Sequence, residues 1–231
     1  MPPSCPRTAP KRQRSRNANF ALALAGALLP GCASYDVRPL FSSGAASSYI
    51  EHVHREGLHV AVIDLSAERS TEKHFARHLP DYEYVPVQLL VELDAHEEAA
   101  FDLRRENLSL VLQDGTRLAA VDPLDVAHEV SFSHWRSFFG FLFLIPGPFV
   151  ASSVSSANEQ LENDYLEKSL RSVRVSHNMR AYQGVVFFRL PEEANGQLDT
   201  EDAFVEVVVQ REGVGAGELG RRIEFPVHFT R

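Results

Sequence analysis

"ENLSLVLQDGTRLAAV" (residues 106–121) places two extended, leucine- and valine-rich arms on either side of Asp114-Gly115. Asp-Gly is a pair favoured by two-residue hairpin turns, because both positions accept positive φ. Read as a hairpin, this stretch makes its neighbours strands as well. Upstream lie "LHVAVIDL" (58–65) and "VPVQLLVEL" (85–93), the latter with Pro86 near its start, where a missing amide hydrogen is tolerated. Downstream lie "YQGVVFFRL" (182–190), "AFVEVVVQ" (203–210) and "RRIEFPVHFT" (221–230). In the second of these, Val205, Val207 and Val209 share one parity and form an apolar face, while Phe204, Glu206, Val208 and Gln210 form a mixed one. About seven short strands with turns between them predict a mainly β chain, an immunoglobulin-like antiparallel sandwich without the usual Cys-Trp-Cys core.

Two segments break the strand pattern. "RSTEKHFARHLP" (69–80) predicts a short helix with Ser70 as N-cap, Phe75 and Leu79 on one face and Pro80 as its stop. A longer insertion spans about 130–175. Its first part is aromatic and apolar, a hydrophobic hairpin. Its second part, "ANEQLENDYLEKSLRSV" (157–173), reads as an amphipathic helix carrying Leu161, Tyr165 and Leu170, with acids early and Lys168, Arg171 and Arg174 at or beyond its end. "DYLEKSL" (164–170) followed by "GVVFF" (184–188) resembles a loose group of uncharacterised bacterial envelope lipoproteins that carry a hydrophobic hairpin within a β-domain. The likeness covers about 138–190 and implies no reaction.

The first 31 residues differ from the rest. Arg7, Lys11, Arg12, Arg14 and Arg16 precede "FALALAGALL" (20–29), an apolar run of secretory length and too short to span a bilayer. It ends in Leu29-Pro30-Gly31-Cys32, which resembles the lipobox of bacterial lipoproteins, with Pro30 where Ala or Ser is usual. The resemblance implies removal of residues 1–31 and acylation of Cys32, two or three chains making a stable anchor. It also implies a cell-envelope location facing the periplasm. Ala33 and Ser34 lack the Asp that retains many such proteins at the inner membrane, which favours the outer one. Only Cys5 and Cys32 exist, so the mature chain has no internal disulfide. Residues 32–50 read as a small, polar tether, and 51–231 as one domain with the insertion. Without the five N-terminal cations, 18 basic residues face 31 acidic ones, a net −13. That balance excludes nucleic acid as a partner and argues against headgroup attraction as the membrane tie.

"FFGFLFLIPGPFV" (138–150) holds five phenylalanines and no charged or hydrogen-bonding side chain. Water is a costly environment for it, at about 1.5–3 kcal/mol per exposed aromatic. Three coverings are open. It could enter the membrane as a re-entrant hairpin, with Trp135 and Arg136 at the interface and Pro146-Gly147-Pro148 as the turn. It could fold into its own core, or meet a protein partner. The membrane reading leads, with Trp135, Phe138, Phe139, Phe141, Phe143 and Phe149 as contact residues.

No set of residues composes an active site, and no cofactor is implied. Ten histidines raise the question of a metal. His52, His54 and His59 lie close in "EHVHREGLH" (51–59), and His74 and His78 stand four apart, yet neither group carries a cysteine or a HExxH frame. "GVGAGELG" (213–220) joins two strands and lacks the Lys-Ser/Thr of a phosphate loop. The functional expectation is a lipid-anchored envelope protein with a binding or structural role, its apolar insertion docking on membrane or partner. Two alternatives stand beside it: a hydrolase or metal-dependent enzyme with a site on sandwich loops, and an envelope assembly factor that presents sheet edges.

Overall fold

The computed structural model describes residues 35–40, 44–67, 71, 73–131, 147–194, 202–212 and 220–230. Nine strands are described: β1 (Val53–Arg55), β2 (Leu58–Asp64), β3 (Tyr84–Leu93), β4 (Phe101–Val111), β5 (Arg117–Val121), β6 (Val173–Val175), β7 (Ala181–Arg189), β8 (Phe204–Arg211) and β9 (Arg221–Thr230). Between β5 and β6 two helices are described, α1 (Pro123–Glu129) and α2 (Gly147–Lys168). The chain is mainly β, as its alternating runs require.

Seven strands form a closed barrel in the order β2-β3-β7-β5-β4-β8-β9, and β9 pairs back onto β2. Every other neighbouring pair in this ring is antiparallel. Seven is odd, so a ring of alternating strand directions must contain one parallel pair, and Val62↔Phe229 and Ile63↔Thr230 supply it. β5 and β9 are the corners. Ser109, Leu110 and Val111 of β4 pair with the first half of β5, while its Ala120 and Val121 pair with β7. β9 follows β8 as far as His228 and then turns to β2. The expected immunoglobulin-like sandwich is corrected here: two layers are present, but these strands join them at both edges. β1 extends the sheet beyond β2, and β6 lies on β4 over Phe101–Leu103, continuing the side that β5 leaves.

The barrel is filled by side chains of one parity. Val60 and Val62, Val87, Leu89 and Val91, Phe101 and Leu110, Phe188, Val205 and Val207, and Phe225 and Val227 meet inside it. Burial of each is worth about 1.5–3 kcal/mol. A second core lies outside the barrel, where the other faces of β3 and β7 offer Tyr84, Val185 and Phe187. It is covered by Val126, Ala127 and Val130 from the α1 region, by Ala157, Leu161 and Tyr165 of α2, and by Phe75 and Leu79. This explains "VVFF": β7 is buried on both faces, so no polar residue alternates with the apolar ones.

Several local expectations change. The Asp114-Gly115 hairpin forms, but among its residues only Gly115 has positive φ, at 83°. Gly115 N–H donates to Leu112 O and Leu112 N–H to Thr116 O, so three residues close the loop, ending in a left-handed glycine. Of the helix expected over 69–80, Thr71, Lys73 and His74 are helical, residues 69, 70 and 72 lie outside the described residues, and Pro80 lies inside a separate 3-10 turn, Leu79–Tyr82, instead of stopping a helix. Leu161 and Tyr165 face inward from α2 as expected, whereas Leu170 lies past its end and inside the barrel core. Gly147 and Pro148 open α2, where a proline in the first turn loses no hydrogen bond. Of the apolar hairpin expected over 138–150, residues 138–146 lie outside the described residues, and 147–150 belong to the start of α2. Among the described residues no helix is long and apolar enough to cross a membrane.

The chain leaves α2 across β7. Leu170 N–H donates to Val185 O at 2.8 Å, and a Cβ on Gly184 would sit 3.1 Å from the Leu170 backbone. Gly184→Ala must therefore push backbone from backbone. It is expected to destabilise the protein by about 1–3 kcal/mol in equilibrium urea unfolding.

Candidate functional site

β1 and β2 are joined by two residues, Glu56 and Gly57, with φ of 49° and 81°. Positive φ at both positions is the two-residue hairpin geometry that right-twisted strands favour. Glutamate is a poor occupant of the first position, and two cations hold it: Arg211 at 3.3 Å and Arg221 at 2.9 Å. At Gly57 any side chain would strike the Glu97 carboxylate, 2.6 Å from an added Cβ. This turn fixes the register His54↔His59. The two imidazoles stack at 4.1 Å between centroids, and the His52 ring lies tilted, 5.0 Å from that of His59.

Asp94, the first residue past β3, bridges the pair. Its Oδ2 accepts from His54 Nε2 at 2.9 Å and its Oδ1 from His59 Nε2 at 2.7 Å. The Asp94 backbone is pinned as well. Its N–H donates to Gly57 O at 2.8 Å, and its carbonyl accepts from Arg180 at 2.8 Å. His59 is largely buried, while His54 and Asp94 are about half exposed. The hydrogen bond from His59, with that from His54, holds the Asp94 carboxyl below the usual carboxylate range. Glu92, opposite His59 in the β2–β3 ladder, is raised by desolvation. Two hydrogen bonds from Ser47 and the nearby His59 outweigh that burial and lower its pKa overall.

The sequence brought the histidine trio together without making it a site, and it pointed to neither Asp94 nor Glu92, which are far away along the chain. His74 and His78 are not brought together as ligands. The helical turn ends before His78, His74 is buried, and His78 bonds Asp81 at 2.9 Å. Among the described residues the group of three ligand-type side chains with converging donor atoms is His54, His59 and Asp94.

A second polar cluster is entirely internal. Asp164 and Lys168 lie one turn apart on α2 and are both buried. Asp164 accepts from Tyr35 Oη at 2.6 Å and from Lys168 Nζ. The same ammonium donates to the His74 carbonyl and lies 5.1 Å over the Phe75 ring. Burial raises the Tyr35 phenol, with Asp164 adding to it, and burial lowers the Lys168 ammonium against the pull of Asp164. Residues 35–50 are thus more than a spacer: Tyr35 and Ala46 are buried on the domain. The sequence placed Lys168 near the end of the helix but gave no sign that it and Asp164 are buried. Cys32, Trp135, Phe138, Phe139, Phe141 and Phe143 lie outside the described residues. Phe149 contributes its backbone to the start of α2, and its side chain is likewise outside the description.

No protein-family model matches the chain, and no curated protein or solved structure shows significant similarity to it.

Lys168→Met leaves a buried carboxylate with Tyr35 alone, and is expected to cost about 3–5 kcal/mol by urea unfolding. Adding Asp164→Leu should recover part of that loss, read as the coupling energy of a double-mutant cycle. Burial, against a hydrogen bond to Pro39 O and with Lys168 and Lys73 nearby, sets the His74 pKa below its ordinary value. Below about pH 6.5 the unfolded chain therefore takes up a proton that the folded chain refuses. Stability should fall as pH drops from 6.5 towards the folded pKa, and His74→Asn should remove that component of the urea midpoint's pH dependence.

Proposed function

We propose that this chain is a lipid-anchored cell-envelope protein facing the periplasm, at the outer membrane, with a binding or structural role. Residues 1–31 act as its lipoprotein signal peptide and Cys32 as its acylated anchor. One observation supports this reading beyond the sequence. The described residues begin at Tyr35, whose hydroxyl is bonded to the buried Asp164. Only Ala33 and Ser34 separate Cys32 from it, a reach of about 10 Å in fully extended chain. An acyl group on Cys32 would therefore hold the second core close to the lipid headgroups. The apolar run 138–150 leads into α2, the helix that also holds Tyr35, and serves as a second contact with membrane or partner.

The alternatives fare differently. An assembly factor that offers sheet edges has little to offer, because closure leaves β1 and β6, three residues each, as the free edges among the described strands. A metal-dependent role is favoured over other chemistries by the convergence of His54, His59 and Asp94.

The anchor is tested by labelling cells with a radioactive fatty acid and washing the envelope with alkali. The wild type is expected to take up label and pellet with membrane, and Cys32→Ser, exported by a cleavable signal, to lose the label. The unlabelled variant should stay with the pellet until Phe138, Phe139, Phe141 and Phe143 are changed to Ser. An unlabelled wild type would sink the anchor, and complete release by Cys32→Ser alone would sink the second contact.

A further inference from the structure

We propose that His54, His59 and Asp94 form a binding site for a single divalent transition-metal ion of the zinc type. This goes beyond the lipid anchor and does not depend on it. One ligand atom from each residue lies within 4.8 Å of the other two. Zinc bound at about 2.0–2.1 Å to nitrogen and oxygen separates its tetrahedral ligands by about 3.3 Å. The carboxylate now sits 2.7 and 2.9 Å from the two Nε2 atoms, so an ion entering between them moves Asp94 outward by about half an ångström, on the scale of the bond lengths involved. Asp94 is half exposed and has room for that shift.

The frame is fixed before any ion arrives. The two histidines sit opposite each other on strands joined by the shortest hairpin link, and Asp94 is held by its own N–H and carbonyl. Two imidazoles and one carboxylate suit zinc, nickel or copper. Calcium and magnesium require oxygen ligands and are not matched. Three protein ligands at a half-exposed site leave further positions for water, as in an open zinc site.

The proton balance is simple. In the ion-free form each Nε2–H donates to Asp94. On binding, each proton passes to its own ring's Nδ1, and the Nε2 lone pair turns to the metal, so neutral rings release no net proton. His59 Nδ1 is buried and has no hydrogen-bond partner among the described residues. The relocated proton therefore lacks the second partner that ligating histidines usually have, which makes this site weaker than a closed structural one. Glu92, facing His59 in the ladder, is the carboxylate placed to stabilise that proton.

The test is equilibrium dialysis of the metal-stripped, full-length protein in detergent against zinc chloride, with magnesium in excess. One zinc per chain is expected for the wild type and for His78→Gln, a histidine away from the site. His54→Gln and Asp94→Asn should each weaken binding at least tenfold, a loss of about 1.4 kcal/mol or more. His54 is exposed enough that its variant should keep the wild-type circular dichroism, which separates loss of the site from loss of the fold. Zinc should raise the melting temperature of the wild type and leave that of Asp94→Asn unchanged. Absence of stoichiometric binding in the wild type would overturn the proposal. So would undiminished binding in both variants, which would assign the ion to scattered surface histidines.

Discussion

The parallel contact between β2 and β9 is two residue pairs long, and the architecture depends on it. Six antiparallel pairings alone would leave a curled sheet with a long apolar edge on β2 and another on β9. Seven strands close only if one pair breaks the alternation of directions. That break falls where β9 has run past its hairpin partner and reaches β2 with Phe229 and Thr230. Closure removes two long edges that would otherwise invite pairing with other chains. It also makes β2 an interior strand of the ring, with β1 as a short outward flap.

That flap explains how a polar cluster arises at the rim of an apolar barrel. Inside the ring, β2 gives Val60 and Val62 to the core. At its start, next to the turn, His59 emerges beside the end of β3, so hairpin and ladder together deliver His54, His59 and Asp94 to one place. The surrounding charges serve the same geometry. Arg211 and Arg221 hold the left-handed Glu56, and Arg180 holds the Asp94 carbonyl. Arg211 and Arg221 bind the Glu56 carboxylate and Arg180 binds backbone, so none of the three enters the ligand set.

On the other side of the barrel the logic is reversed, because polar groups go inward. Asp164 and Lys168 occupy the buried face of α2 with Tyr35, in the company of Phe75 and Tyr165. A buried pair of this kind adds little net stability over apolar replacements, but it is costly to break. Its specific effect is positional. It accepts one particular phenol from the start of the domain and so determines where the N-terminal segment meets the fold. Hydrophobic packing alone would allow that segment several resting places.

The sequence by itself determined the strands. The runs over 58–65, 85–93, 182–190, 203–210 and 221–230 match β2, β3, β7, β8 and β9 within a residue or so at each end, because alternation and β-branching are local properties. Ring closure was invisible, since the pairing of residues 62 and 229 depends on loop closure over most of the chain and leaves no local mark. The hairpin at Glu56-Gly57 was invisible for a different reason: the residue at the left-handed position is a glutamate held there by arginines from β8 and β9. Asp94 could join the histidines only once that turn and the β2–β3 register were set. The apolar side of α2 was legible in Leu161 and Tyr165, but the burial of Asp164 was not, because its partner Tyr35 arrives from a segment that reads as a tether. Local periodicity writes strands into sequence, whereas registers, closures and partners of buried charges are set by atoms far apart along the chain.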